Sequence, residues 1–86
     1  MEVTVYGPLR GATGGKTVSL EFDGGTVHDA LEALVAAYPR AETQLFRADG
    51  RLEPSTRTSL AGKSVEPDDH CPPDADLHVH PPMRGG

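Results

Sequence analysis

The chain reads as an α+β domain in which a mixed sheet of four to five strands packs on one main helix. Three observations lead there: alternating apolar residues at both ends of the chain, one long stretch of helical period between them, and turn-forming Gly and Pro at the joints. A chain of 86 residues has room for one small core, and for neither a second domain nor a deep internal pocket.

Val3 and Val5 alternate with Glu2, Thr4 and Tyr6, the period of a half-buried strand that Gly7-Pro8 ends. A loop holding Gly11, Gly14 and Gly15 leads to a second alternating run. There Val18, Leu20 and Phe22 stand against Thr17, Ser19 and Glu21, and the run pairs with the first strand as a hairpin before turning out at Asp23-Gly24-Gly25. Thr26 precedes Asp29 by three residues, a short-armed capping box. Val27, Ala30, Leu31, Leu34, Val35 and Tyr38 then follow the spacing of one helix face. Pro39 closes that helix, and Ala41 to Arg47 add one more helical turn before the Asp49-Gly50 turn. Shorter strands follow at Arg57 to Leu60, at Ser64 to Glu66 after a turn at Gly62-Lys63, and at Asp76 to His80. Pro67, Pro72 and Pro73 mark an irregular crossover between the last two. Residues 1–80 form the domain and residues 81–86 a flexible tail, Pro-Pro-Met-Arg-Gly-Gly.

The formal charge of −5, without a cluster of Lys or Arg, argues against a nucleic-acid footprint and suggests a partner surface that is neutral or basic. No run of 18 apolar residues predicts a membrane span, and no signal peptide is visible. The single cysteine, Cys71, excludes an internal disulfide and fits a reducing, cytoplasmic compartment. It has no basic neighbours to activate its thiol and reads as a small loop or core residue. Imidazole and thiolate suit zinc, but no recognised ligand spacing links His70-Cys71 to His78 and His80, so no metal site is expected. His28, near the helix start, is expected to face solvent. Gly14-Gly15-Lys16-Thr17 lacks the upstream glycine of a phosphate loop and opens a strand instead of a helix.

The tail is the most specific feature. His80 must stay extended before Pro81, and Pro81-Pro82 favours a polyproline stem that projects the chain. From Pro81 to the Gly86 carboxylate the chain can reach roughly 20 Å at about 3.3 Å per residue. Gly85 and Gly86 have a narrow cross-section and can thread a tunnel.

Three segments together resemble the ubiquitin-like β-grasp proteins, and among them the small subunit of molybdopterin synthase, the thiamine sulfur carrier and the small archaeal modifier proteins. Val5-Tyr6-Gly7-Pro8-Leu9-Arg10 through Gly14 is similar to that family's opening strand with its Leu-Arg and glycine. Thr26 to Leu34 resembles its Thr-Val-x-x-Ala-Leu helix start. Asp76 to Gly86 resembles its last strand, Pro-Pro stem and diglycine. The chain departs from the family at His80, where an aromatic is common, and at Ala61, where Asn is common. Met83-Arg84-Gly85-Gly86 is closer to ubiquitin's tail than to the molybdopterin subunit's.

The resemblance implies a β-grasp roll that is a carrier and not an enzyme. An E1-like enzyme using ATP and Mg²⁺ would adenylate the Gly86 carboxylate, which is then conjugated to protein lysines or converted to a thiocarboxylate for sulfur transfer. It implies no stably bound cofactor and a monomer whose partners are the activating enzyme, target lysines, the molybdopterin-synthase large subunit, or several of these. Arg84, Met83, Pro82 and Pro81 would serve in tail recognition. On the open face of the sheet Thr4, Tyr6, His78 and His80 are expected, since Val3, Val5, Leu77 and Val79 point to the helix. Tyr6 and His80, joined by Leu60, are the candidate docking patch, and Lys16 and Lys63 are candidate acceptor lysines. The alternatives are a dedicated sulfur donor and a non-conjugating β-grasp interaction module.

Overall fold

The computed structural model describes residues 1–82; Met83, Arg84, Gly85 and Gly86, and with them the expectations placed on those four, lie outside the described residues. The elements in order are β1 (Glu2–Val5), α1 (Leu9–Thr13), β2 (Thr17–Ser19), β3 (Gly25–Thr26), α2 (Val27–Ala37), a 3-10 turn (Pro39–Ala41), α3 (Glu42–Leu45), β4 (Arg57–Leu60), β5 (Lys63–Val65), β6 (His70–Cys71) and β7 (Asp76–His80). Five strands form a mixed sheet in the order β2-β1-β7-β4-β5, in which only β1 and β7 run parallel. The first and last strands are therefore neighbours at its centre. The α+β class and the helix-on-sheet layering agree with the sequence reading.

Period-two alternation sends Val3, Val5, Leu77 and Val79 inward, where all are fully buried with Val27, Ala30, Leu31 and Leu34 of α2. Each such aliphatic side chain contributes about 1.5–3 kcal/mol relative to exposure. Helix α2 starts where its capping box allows: the Asp29 amide donates to Thr26 Oγ1 at 3.1 Å, and the Thr26 amide donates to Asp29 Oδ2 at 3.0 Å. These bonds hold the Asp29 carboxyl below its ordinary value of 3.8, the backbone bond from Thr26 contributing most.

Four sequence expectations change. The glycine-containing loop after β1 contains α1, whose Leu9 and Thr13 are buried and which ends at Gly14 in the left-handed region (φ 80°). Its five residues are too few to show a helical period. Strand β2 stops at Ser19 instead of Phe22 because Ser19 already pairs with Glu2, where β1 begins; beyond it Leu20 meets Met1, its amide donating to the Met1 carbonyl at 2.8 Å and its carbonyl accepting from the N-terminal ammonium at 2.9 Å. The β4–β5 turn falls on Ala61-Gly62, both at positive φ (50° and 83°), so Lys63 pairs directly with Leu60 and β5 begins one residue early. A second, two-stranded sheet joins Gly25–Thr26 to His70–Cys71 across the stretch read as an irregular crossover. Among the described residues no helix is long and apolar enough to cross a membrane.

Candidate functional site

Because β1 and β7 are parallel, their C-terminal ends leave the sheet side by side, and antiparallel β4 begins at the same edge. The register Val5↔Val79 places Tyr6 beside His80, and Arg57 is the cross-strand partner of His80 on the other side. The Tyr6 amide donates to the Val79 carbonyl at 3.2 Å, extending the ladder to the point where the tail begins. On the open face the Tyr6 and His80 rings stack, 4.0 Å between centroids and 7° between planes.

His78 completes the cluster. Its Nδ1 lies 2.7 Å from the Tyr6 hydroxyl, and its Nε2 lies 3.5 Å from Asp76 Oδ2. The first contact suits the tautomer in which Nδ1 accepts from the Tyr6 hydroxyl. The Arg10 guanidinium stands 5.9 Å from the Tyr6 ring centroid, at the outer range of a cation–π contact. Tyr6 is thus held on three sides and presents a fixed shelf.

Gly7 sits beneath the start of the tail. Its φ of 58° lies in the left-handed region, and a Cβ added there would meet Pro81 Cγ at 3.6 Å. The chain then turns through Pro8 into α1, and the Gln44 side-chain amide donates to the Pro8 carbonyl at 3.2 Å, tying α3 to the turn. Tyr6, Pro8, Gln44, Arg57, Pro81 and Pro82 are among the residues lining an open groove of about 1040 Å³ at this end of the sheet.

The structure brings Tyr6 and His80 together, as expected, with Thr4 and His78 on the same face. Leu60 does not join them. Its cross-strand partner is the buried Leu77, so it lies on the helix side of the sheet, packed against the core. Alternation along β4 makes the correction: Arg57 and Ser59 share the open face, while Thr58 and Leu60 face inward. Arg57 and Arg10 were missed as site residues. Parity could have found Arg57, but only the turn through Gly7 brings Arg10 alongside Tyr6.

The remaining expected residues scatter. Lys16 and Lys63 are both exposed, but Lys16 lies at the tail end, where its carbonyl accepts from the Val5 amide, and Lys63 lies at the opposite end, opposite Leu60. Cys71 is fully buried in β6, away from the open face of His78 and His80, and burial pushes its thiol pKa up. That environment makes it inert. His28 is not fully solvated: its ring meets Phe46 edge-on at 5.6 Å, and Nδ1 lies 3.2 Å from the Glu32 carboxylate. His28, Asp29 and Glu32 draw close over the first two turns of α2, but Asp29 is already engaged in the capping box.

The chain is 33% identical to small archaeal modifier protein 1 of Haloferax volcanii, over the full length of both. The crystal structure of that modifier protein aligns with a TM-score of 0.87 at 31% identity, covering 100% of this chain and 98% of the other. A chain in the BexX/CysO complex of Amycolatopsis orientalis shares the fold, with a TM-score of 0.76 at 20% identity and coverage of 99% and 98%. No protein-family model matches.

Proposed function

The chain belongs to the small archaeal modifier proteins, ubiquitin-like β-grasp modifiers or sulfur carriers, and on that premise we propose that its Gly86 carboxylate is the group on which all its chemistry occurs. A free carboxylate is a poor acyl donor, since its charge is delocalised and oxide would have to leave. Activation comes first. On an E1-like enzyme holding ATP and Mg²⁺, a Gly86 oxygen attacks the α-phosphorus of ATP and pyrophosphate leaves, giving a glycyl-adenylate. A thiolate or persulfide of the activating machinery then attacks the carbonyl and AMP leaves.

From there the acyl group takes one of two routes. A lysine amine of a target displaces the thiolate, losing a proton to solvent, and an isopeptide bond forms. Alternatively, cleavage of the persulfide sulfur–sulfur bond by a reducing thiol leaves a thiocarboxylate on Gly86, whose sulfur passes to a cofactor precursor, with the molybdopterin-synthase large subunit as partner, or to tRNA. The protein is a stoichiometric carrier on both routes, and ATP with Mg²⁺ belongs to the enzyme. Gly85 and Gly86 thread the channel, Arg84, Met83, Pro82 and Pro81 are read along it, and the Tyr6–His80 shelf docks beside its mouth. Lys16 and Lys63 are the side-chain amines on which the carrier could itself be conjugated.

The observation that supports this reading is the bracing of the strand end from which the stem leaves: His80, immediately before Pro81, is stacked on Tyr6. An inert terminus needs no such support. The test is the intact mass of the protein from its native cells, together with the lysine adducts left after digestion. Sulfur in place of one C-terminal oxygen marks the carrier route, and Gly85-Gly86 remnants on lysines mark the modifier route. Unmodified protein across several growth conditions, with full function after deletion of Gly85-Gly86, would overturn the proposal.

A further inference from the structure

The formal charge of −5 hides a division along the sheet. At one end Glu2, Asp74 and Asp76 surround a shallow hollow. At the other, where the tail leaves, stand Arg10, Lys16, Arg57 and His80, all exposed. Arg10 lies beside Tyr6, Lys16 on the loop bonded to Val5, and Arg57 opposite His80, so the cations flank the stem on both sides. Adjacent strands are about 4.8 Å apart, so the stretch from β2 to β4 covers roughly 15 Å.

Among the described residues none of these three cations has a carboxylate partner; the ion pairs use Arg47, Arg51, His28 and His78. The groove beside the stem has no acidic residue among its described lining; the nearest along the chain, Glu42, lines the neighbouring hollow with Arg47. In a chain with thirteen Asp and Glu against eight Lys and Arg, an uncompensated basic collar around one end is a segregated feature.

We propose that the tail-bearing end docks on an acidic protein surface, in which Asp or Glu side chains rim the opening that receives the tail and pair with Arg10, Lys16 and Arg57. This rests on the reading of Gly86 as the activated group, and reverses the neutral or basic partner surface that net charge alone suggests. Opposite charges at a rim steer encounter and fix orientation, so the opening meets the stem in register. Nucleic acid fits the collar less well. Three cations on an acidic chain give a small phosphate footprint, and the Tyr6 face that could take a base is covered by His80.

The test measures affinity of the full chain for the E1-like adenylating enzyme of the source organism across a salt series, with adenylate formation at saturating carrier as a separate readout. Arg57→Glu and Lys16→Glu are each expected to weaken binding about tenfold at low salt, with the gap closing near 1 M as screening sets in. Asp74→Lys, at the other end of the sheet, should change affinity by less than about twofold. Arg57→Gln, which carries no reversed charge, should fall between, and thermal unfolding checks that each variant is folded. Unchanged or tighter binding by the Glu variants, while wild type is still adenylated, overturns the acidic rim alone; so does tighter binding to a single-stranded oligonucleotide than to the enzyme. A wild-type chain that is never adenylated overturns the activation reading as well.

Discussion

The two faces of the central strands are built from alternate residues of the same segments, yet they do opposite work. Inward, Val3, Val5, Leu77 and Val79 are wholly buried against α2 and carry no polar atom on their side chains. Outward, Thr4, Tyr6, His78 and His80 bear side chains able to donate, accept or stack, and one hydrogen bond and one ring stack bind three of them together. On the proposed reading, a residue's parity decides whether its loss is felt in folding or in recognition. Thr58 shows how strictly the inner side is kept: it is 6% exposed and its hydroxyl is satisfied by the Val65 carbonyl at 3.2 Å.

That contrast can be broken most sharply at Leu77 and Tyr6. Leu77→Ala should cost about 2–5 kcal/mol of unfolding free energy, measured by urea titration, because a buried leucine leaves a cavity. In whatever fraction stays folded, partner affinity should be unchanged. Tyr6→Ala should do the reverse, weakening docking on the activating enzyme about tenfold while costing about 1 kcal/mol or less in stability. If Tyr6→Ala unfolds the protein, or leaves affinity untouched, the division of labour between the faces is wrong.

Smaller effects sharpen the picture away from both faces. Ala61 holds φ 50°, a conformation that costs a residue with a Cβ about 1–2 kcal/mol. Ala61→Gly should therefore raise stability by about 0.5–1 kcal/mol after the entropy of glycine is charged against it, with no change in partner affinity. The smallest effect is expected at Asp29. Its folded pKa lies below the ordinary 3.8, so its contribution is present above that value and is lost as pH falls through the folded pKa. Asp29→Asn should flatten the decline of thermal stability below about pH 4 and leave docking at neutral pH unaltered.

Much of this could be read from residues alone, and the exceptions have physical causes. Helix α2 was legible because eleven residues give the 3.6-residue period time to repeat, and the Thr26–Asp29 spacing marks its start. Strands β1, β4 and β7 were legible from alternation, and Tyr6 and His80 from the parity that alternation implies. Leu60 was misplaced for want of the same rule applied along β4, where inward Thr58 fixes its neighbours. Helix α1 and the β3–β6 pair were hidden because five residues and two residues carry no period; only the buried Leu9 and Cys71 hint that those segments reach the core. The basic collar was invisible to a summed charge, since Arg57 is some forty residues from Arg10 and Lys16 in the chain and joins them only through strand order.

The place of β7 has a consequence during synthesis. The strand that closes the centre of the sheet follows every other element of the domain, so a nascent chain can pair β1 with β2 but leaves the other edge of β1 open until residues 76–80 have emerged. Pairing the first strand with the last requires closing a loop of about seventy residues, a slow, non-local step. The stem leaves directly from that strand. A copy in which β7 has not paired therefore offers neither the Tyr6–His80 stack nor the three cations beside its stem.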